Sequence, residues 1–186
     1  MSDRPWKLFP GWICPIEAEE WKKKLNEKIN WEQPLVKVFG KDHLIPRKTI
    51  FLGDKDIHYS YSGITHISEG WPTWFLPLLE KVSLKSGATF NGCLLNLYRN
   101  GNDRMGWHSD NERELIPDKP IASLSFGSSR DFCLKHRLLV DKETIVLKDG
   151  DLLIMYPPSQ EQWKHSVPIR KKVSDFRINL TFRCYK

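Results

Sequence analysis

Phe176-Arg177-Ile178-Asn179-Leu180-Thr181-Phe182-Arg183 is the stretch on which the reading of this chain turns. Successive side chains along a strand point to opposite faces. Phe176, Ile178, Leu180 and Phe182 therefore share one face, and Arg177, Asn179, Thr181 and Arg183 share the other. A surface strand would turn the second face to water. That face is also a row of hydrogen-bonding groups with an arginine at each end, and arginine grips a carboxylate through two parallel bonds. The stretch alone leaves both readings open.

Upstream, Trp107-His108-Ser109-Asp110 sets His108 and Asp110 two apart, on one side of an extended segment, and His165 follows between Lys164 and Ser166. Two imidazoles and a carboxylate form the facial triad of non-haem iron(II) oxygenases, which leaves coordination positions open. Zinc accepts the same donors, and a lone His-x-Asp pair is usually a surface turn. The order adds weight: His-x-Asp, then a distal His, then Arg-x-Asn-x-Thr-x-Arg, each on or beside an expected short strand. Iron(II) held by one carboxylate keeps a positive charge and suits a dianionic co-substrate, whose far carboxylate needs a cation. Arg177 offers one, and Asn96 and Tyr98, on one face of the strand 93–98, add polar groups. On this reading the polar face of the tail turns inward, into a barrel lumen.

The surrounding pattern is mainly β. Short strands are expected at 93–98, 121–126, 131–135, 144–147, 151–155 and 176–184, with Gly, Pro and Asp at the breaks; this suggests a sandwich, barrel or jelly roll. Residues 1–16 read as an irregular arm rich in Trp, Pro and Phe. Residues 17–30 read as a helix, with Trp21, Leu25 and Ile29 as its apolar stripe; the lysine run 22–24 is a solvated face. The segment 36–41 reads as a strand ending in a Gly turn and pairing with a second strand near 49–52. Residues 58–63 read as extended, with Tyr59 and Tyr61 on a common face, and a short helix runs from 72 to 81, interrupted around Pro77.

With 186 residues, 40% hydrophobic and 28% charged, the chain suits one domain with a sizeable core. Its net charge of +6 suits an anionic partner such as nucleic acid. Cys14, Cys93, Cys133 and Cys184 are scattered without a paired spacing and read as reduced thiols. No leader-like apolar stretch or membrane span is visible, so a soluble intracellular protein is expected.

These features together resemble the AlkB family of iron(II)- and 2-oxoglutarate-dependent dioxygenases. The resemblance rests on Asn96-Leu97-Tyr98, on 108–114, 121–127 and 130–132, on His165-Ser166-Val167-Pro168, and on Arg177 to Arg183. It continues upstream through Val38-Phe39-Gly40-Lys41, Pro46-Arg47-Lys48 and Tyr59-Ser60-Tyr61-Ser62-Gly63, which makes it closest to the DNA-repair branch, of the AlkB homolog two type.

The resemblance implies a double-stranded β-helix (jelly roll) over about 91–186, preceded over about 1–90 by an arm, helices and a nucleotide-recognition lid, all in one catalytic domain. It implies iron ligands at His108, Asp110 and His165, and 2-oxoglutarate contacts from Asn96, Tyr98, Arg177, Asn179, Thr181 and Arg183. Arg177 would take the distal carboxylate, and Arg183 would lie near the chelating end.

The implied activity is oxidative demethylation of 1-methyladenine and 3-methylcytosine in double- or single-stranded DNA with Fe(II), O₂ and 2-oxoglutarate, releasing formaldehyde, succinate and CO₂. Tyr59 and Tyr61 would line the base pocket, or else simply be strand aromatics. Glu112 would meet the exocyclic amine, or be an ordinary exposed acid. Phe39 would be a finger filling the gap left by the extruded base, or hairpin packing. Arg47 and Lys48 would contact DNA. The alternatives are an RNA or protein demethylase and a non-catalytic nucleic-acid-binding module. A monomer in a bacterial cytoplasm or a nucleus, with no membrane partner, is expected.

Overall fold

The computed structural model describes residues 4–38, 40–61 and 64–186. In chain order the elements are β1 (Trp6–Phe9), α1 (Pro15–Lys28), β2 (Leu35–Val38), β3 (Lys41–Leu44), β4 (Lys48–Gly53), β5 (His58–Tyr61) and β6 (Ile64–Ile67). A 3-10 turn (Thr73–Phe75) leads into α2 (Leu76–Ser86), followed by β7 (Gly92–Tyr98), β8 (Met105–His108), β9 (Ile121–Gly127), β10 (Arg130–His136) and β11 (Lys142–Leu147). The chain ends with β12 (Leu152–Met155), α3 (Ser159–Gln162), β13 (Trp163–Val167) and β14 (Arg177–Arg183).

Two antiparallel sheets face each other as a jelly roll. The larger has the order β1-β12-β9-β14-β7-β4 and the smaller β11-β10-β13-β8, while β2-β3 and β5-β6 are separate hairpins. β14 lies between β7 and β9, and all its residues are buried. Ile178, Leu180 and Phe182 join Leu95 of β7, Leu124 of β9 and Ile154 of β12 in one cluster with Leu25 of α1 and Val82 of α2. The apolar face of the large sheet thus packs on helices. The other face looks toward the small sheet, where Tyr98, Phe132, Leu134, Leu153 and Trp163 form a second cluster.

Several elements differ from expectation. The arm is not irregular: Trp6–Phe9 pairs with β12 as the edge of the large sheet. Pro5 and Pro10 bound it, and proline is tolerated at an edge. Pro15 opens α1, two residues before the expected start, where its missing N–H costs nothing. β2 pairs not with the strand near 49–52 but with β3, through a turn in which Gly40 takes a φ of 77°. β4 instead joins the large sheet beside β7. Pro77 does not interrupt its helix, because it sits in the first turn, and α2 runs on to Ser86 with Gly87 as a left-handed cap. The four cysteines are free, as expected. Among the described residues no helix is long and apolar enough to cross a membrane.

Phe182 is fully buried, with Phe75 and Phe90 rings 5.9 Å away. Phe182→Ala is expected to cost about 3–5 kcal/mol of stability through the cavity it leaves, measured as a lowered denaturant midpoint.

Candidate functional site

The register of the small sheet builds the first half of the site. β8 and β13 pair with His108 opposite His165, and the two ring centroids are 4.2 Å apart. Asp110 lies just beyond β8. Its backbone N–H donates to Gln160 Oε1 at 2.9 Å, and Ser109 Oγ donates to the Trp163 carbonyl at 2.6 Å. These bonds hold the loop so that a ligand atom from each of His108, Asp110 and His165 lies within 4.8 Å of the others. His108 Nδ1 is 2.9 Å from the Gly106 carbonyl. A proton on that nitrogen donates to the carbonyl and leaves Nε2 free as a ligand.

Electrostatics set the protonation states. Burial alone would raise the Asp110 carboxyl, but Arg183 and the two imidazoles outweigh it and hold the group well below the usual carboxylate range. Arg183 Nη2 donates to Asp110 Oδ1 at 2.9 Å. Burial, helped by His108, pushes His165 down to about 3, so its ring is neutral at physiological pH. A deprotonated carboxylate and a neutral imidazole are what a divalent metal requires, and the donor set suits iron(II).

The second half is the polar face of β14. Arg177, Asn179, Thr181 and Arg183 are all buried. Asn179 Nδ2 donates across to Ser123 Oγ on β9 at 2.8 Å, Thr181 Oγ1 donates along its own strand to Asn179 Oδ1 at 3.1 Å, and Arg47 Nε donates to Asn96 Oδ1 on β7 at 2.7 Å. Arg177 Nη2 donates to Ser125 Oγ at 2.9 Å, whereas its Nε and Nη1 are buried without a partner among the described residues. Burial lowers this guanidinium to about 10, so it stays charged at neutral pH. The Tyr98 ring has the guanidinium carbon of Arg177 at 5.4 Å and that of Arg130 at 5.5 Å. A buried cation with two unused donors needs an explanation, and a carboxylate supplies it.

Both halves line one cavity, which contains His108, Asp110 and His165 together with Asn96, Tyr98, Arg177, Asn179, Thr181 and Arg183. Glu112 lines it too. Its Oε2 is buried without a partner among the described residues, and burial, reinforced by Asp110 and opposed by Arg183, raises its pKa. Arg47, expected at the DNA surface, is instead 2% exposed and turned onto Asn96 inside the cavity. It immediately precedes β4, whose pairing with β7 brings it there. Lys48 is half-buried at the start of β4. Tyr59 and Tyr61 fall on β5, but their side chains, and Phe39 altogether, lie outside the described residues.

Four residues without an expected role take part: Ser123, Ser125, Arg130 and Gln160. The serines were detectable, because β9 repeats the alternation of β14, with Ala122, Leu124 and Phe126 on one face and Ser123 and Ser125 on the other. Arg130 donates to the carbonyls of Asn100, Asp103 and Pro168, a pattern that carries no local sequence signal. Asp110→Ala and His165→Ala are each expected to abolish Co(II) binding, as followed by the absorbance of the bound ion; the metal-free Asp110→Ala protein should also melt lower than wild type, because the buried Arg183 loses its carboxylate partner.

Residues 6–183 match the 2OG-Fe(II) oxygenase superfamily. The DNA oxidative demethylase ALKBH2 of Mus musculus is 41% identical over 182 residues, covering 90% of this chain and 74% of that protein. Its Homo sapiens counterpart is also 41% identical, with 90% and 68% covered. The human alpha-ketoglutarate-dependent dioxygenase alkB homolog 3 is 34% identical over 186 residues, covering 95% of this chain and 64% of that protein. The solved structure of OsALKBH1 superposes with a TM-score of 0.67 at 17% identity, over 97% of this chain and 98% of the other, a likeness of fold.

Proposed function

Because this chain belongs to the 2OG-Fe(II) oxygenase superfamily, as an AlkB-type member close to ALKBH2, we propose that it repairs DNA by oxidative demethylation of 1-methyladenine and 3-methylcytosine. The observation that carries this reading is the meeting, in one cavity, of a two-histidine, one-carboxylate cluster and a buried arginine two of whose nitrogens have no partner among the described residues. When bound, iron(II) with 2-oxoglutarate and O₂ supplies the oxidation of the N-methyl group, which leaves as formaldehyde beside succinate and CO₂.

The protein supplies position and charge. His108 Nε2, Asp110 and His165 would hold the metal. Arg177 Nε and Nη1 would take the distal carboxylate of 2-oxoglutarate, with Tyr98, Asn96, Asn179 and Thr181 along its length. Arg183 keeps Asp110 ionised and aimed, and it lies at the end of the row nearest the metal. Asn96 is in turn steadied by Arg47.

N-methylation of these bases adds positive charge and blocks pairing, so flipping them out costs less than flipping a normal base. Glu112 is the acid at the cavity that would face the exocyclic amine, Tyr59 and Tyr61 would stack on the base, and Phe39 would fill the gap in the duplex. Lys48 and the net charge of +6 suit phosphate contacts. The working form proposed is a monomer. DNA as substrate puts the work inside a cell, in a bacterial cytoplasm or a nucleus.

Formaldehyde release from oligonucleotides carrying either base, in DNA and in RNA, tests the reading. Release from methylated DNA that stops without iron(II) or 2-oxoglutarate is expected; its absence would overturn the proposal. Arg177→Met is expected to raise the KM for 2-oxoglutarate by about 10-fold or more, the worth of a charge-assisted hydrogen bond, with Co(II) binding unchanged. Phe39→Ala is expected to slow repair of duplex DNA more than that of single strands.

A further inference from the structure

The hairpin joining β10 to β11 ends in Leu138-Leu139-Val140, which are 89%, 59% and 102% exposed. Three consecutive aliphatic side chains in water forgo the burial that such residues normally find, and an exposed apolar patch of this kind marks a contact surface. We infer that this tip is an apolar wedge that lodges in duplex nucleic acid beside the flipped base; the inference rests on the DNA-repair reading above.

The tip is built to keep one shape. His136 Nδ1 accepts the backbone N–H of Leu138 at 3.1 Å and of Leu139 at 3.0 Å. The His136 N–H donates to the Asp141 carbonyl at 2.9 Å and closes the hairpin, while the Arg137 N–H donates to the Gln162 carbonyl at 2.8 Å and fastens it to α3. The edge of the imidazole also packs on Trp163 at 5.1 Å. Ordering an apolar tip before its partner arrives lowers the entropic cost of binding.

Its place in the fold selects the partner. Arg137 Nη2 donates to Ser109 Oγ at 2.9 Å, and Ser109 stands between His108 and Asp110. Arg137 and Gln160 line a cavity that adjoins Asp110 and Glu112. The wedge therefore springs from the rim of the site, one side chain away from the segment that carries two of the three candidate metal ligands.

The charges nearby suit a polyanion. Lys135, Arg137 and Lys142 flank the tip, and Lys164 stands opposite Lys135 on β13. Asp141 and Glu143, the acids of the hairpin nearest the tip, both pair with Arg4, Asp131 at its far end pairs with Arg170, and Glu161 on α3 stands on the surface. Trp107 is 45% exposed, with Lys135 Nζ 4.5 Å from its ring. A cationic collar around an aliphatic point matches phosphates outside and stacked bases inside, and leucine is among the side chains that part base steps. An anionic membrane shares that chemistry, but the tie to Ser109 favours the molecule that must enter the site.

The test replaces the exposed tip with serine (Leu138→Ser, Leu139→Ser, Val140→Ser together), a change at solvent-exposed positions. A duplex with 1-methyladenine opposite thymine and 2-aminopurine beside it reports unstacking by fluorescence, and formaldehyde release reports turnover. The wild type should brighten the 2-aminopurine on binding. The variant should lose most of that rise, and its duplex kcat/KM should fall about 10-fold, as an unstacking step worth a few kcal/mol allows, against less than about 2-fold on single strands. An unchanged fluorescence rise in the variant would overturn the wedge, as would equal losses on both substrates. It would also be overturned if the substitution abolished self-association in sedimentation, or binding to phosphatidylserine vesicles, while duplex binding stayed intact. Should the wild type release no formaldehyde from any substrate, the repair reading falls, and the fluorescence still decides the wedge.

Discussion

The guanidinium of Arg177 is held out of water in the middle of a sheet, charged, bonded to Ser125 through Nη2 and with Nε and Nη1 unpartnered among the described residues. Burying a charge costs several kcal/mol unless something answers it, so the rest of the fold has to make that placement tolerable. It does so by giving β14 two different buried faces. Ile178, Leu180 and Phe182 pack on helices α1 and α2 and anchor the strand, and this leaves the opposite face free to be polar. Ser123 on the neighbouring β9 then accepts from Asn179, Asn179 in turn accepts from Thr181 on its own strand, and the arginine is left aimed into the cavity.

The metal-binding half depends on the same frame from the other side. The small sheet sets His165 against His108, and Arg183 crosses from the last position of β14 to reach Asp110. One strand thus spans the site, with Arg177 at one end and a bond to a candidate metal ligand at the other. The spacing between the two arginines fixes the distance between the two halves, because a strand rises about 3.3 Å per residue.

Much of this was legible in the chain itself. The alternation of β14 and the His-x-Asp, His and Arg series could be read because strand periodicity and ligand chemistry are both local properties. β1 and β3 escaped for the opposite reason. Trp6–Phe9 is short and set between prolines, and Lys41–Leu44 is exposed throughout and mostly polar, so pairing partners rather than propensity make them strands. The resemblance puts Arg47 at the DNA, whereas the structure buries it, through the pairing of β4 with β7 and a bond to Asn96 that no local pattern announces. The serines of β9 were open to the reasoning applied to β14.

His108 stands on β8, the outermost strand of the small sheet, whereas Arg177 stands on a strand flanked on both sides. A central strand cannot shift without breaking two ladders; an edge strand breaks only one. The end of the site that holds Arg177 is therefore mechanically stiff, and the end that holds His108 is the more compliant. The compliant end carries His108 and Asp110, so their alignment falls to local ties, the pairing of β8 with β13 and the bonds from Ser109 and Asp110 to Trp163 and Gln160. A site arranged this way is held by its architecture at one end and by a few hydrogen bonds at the other.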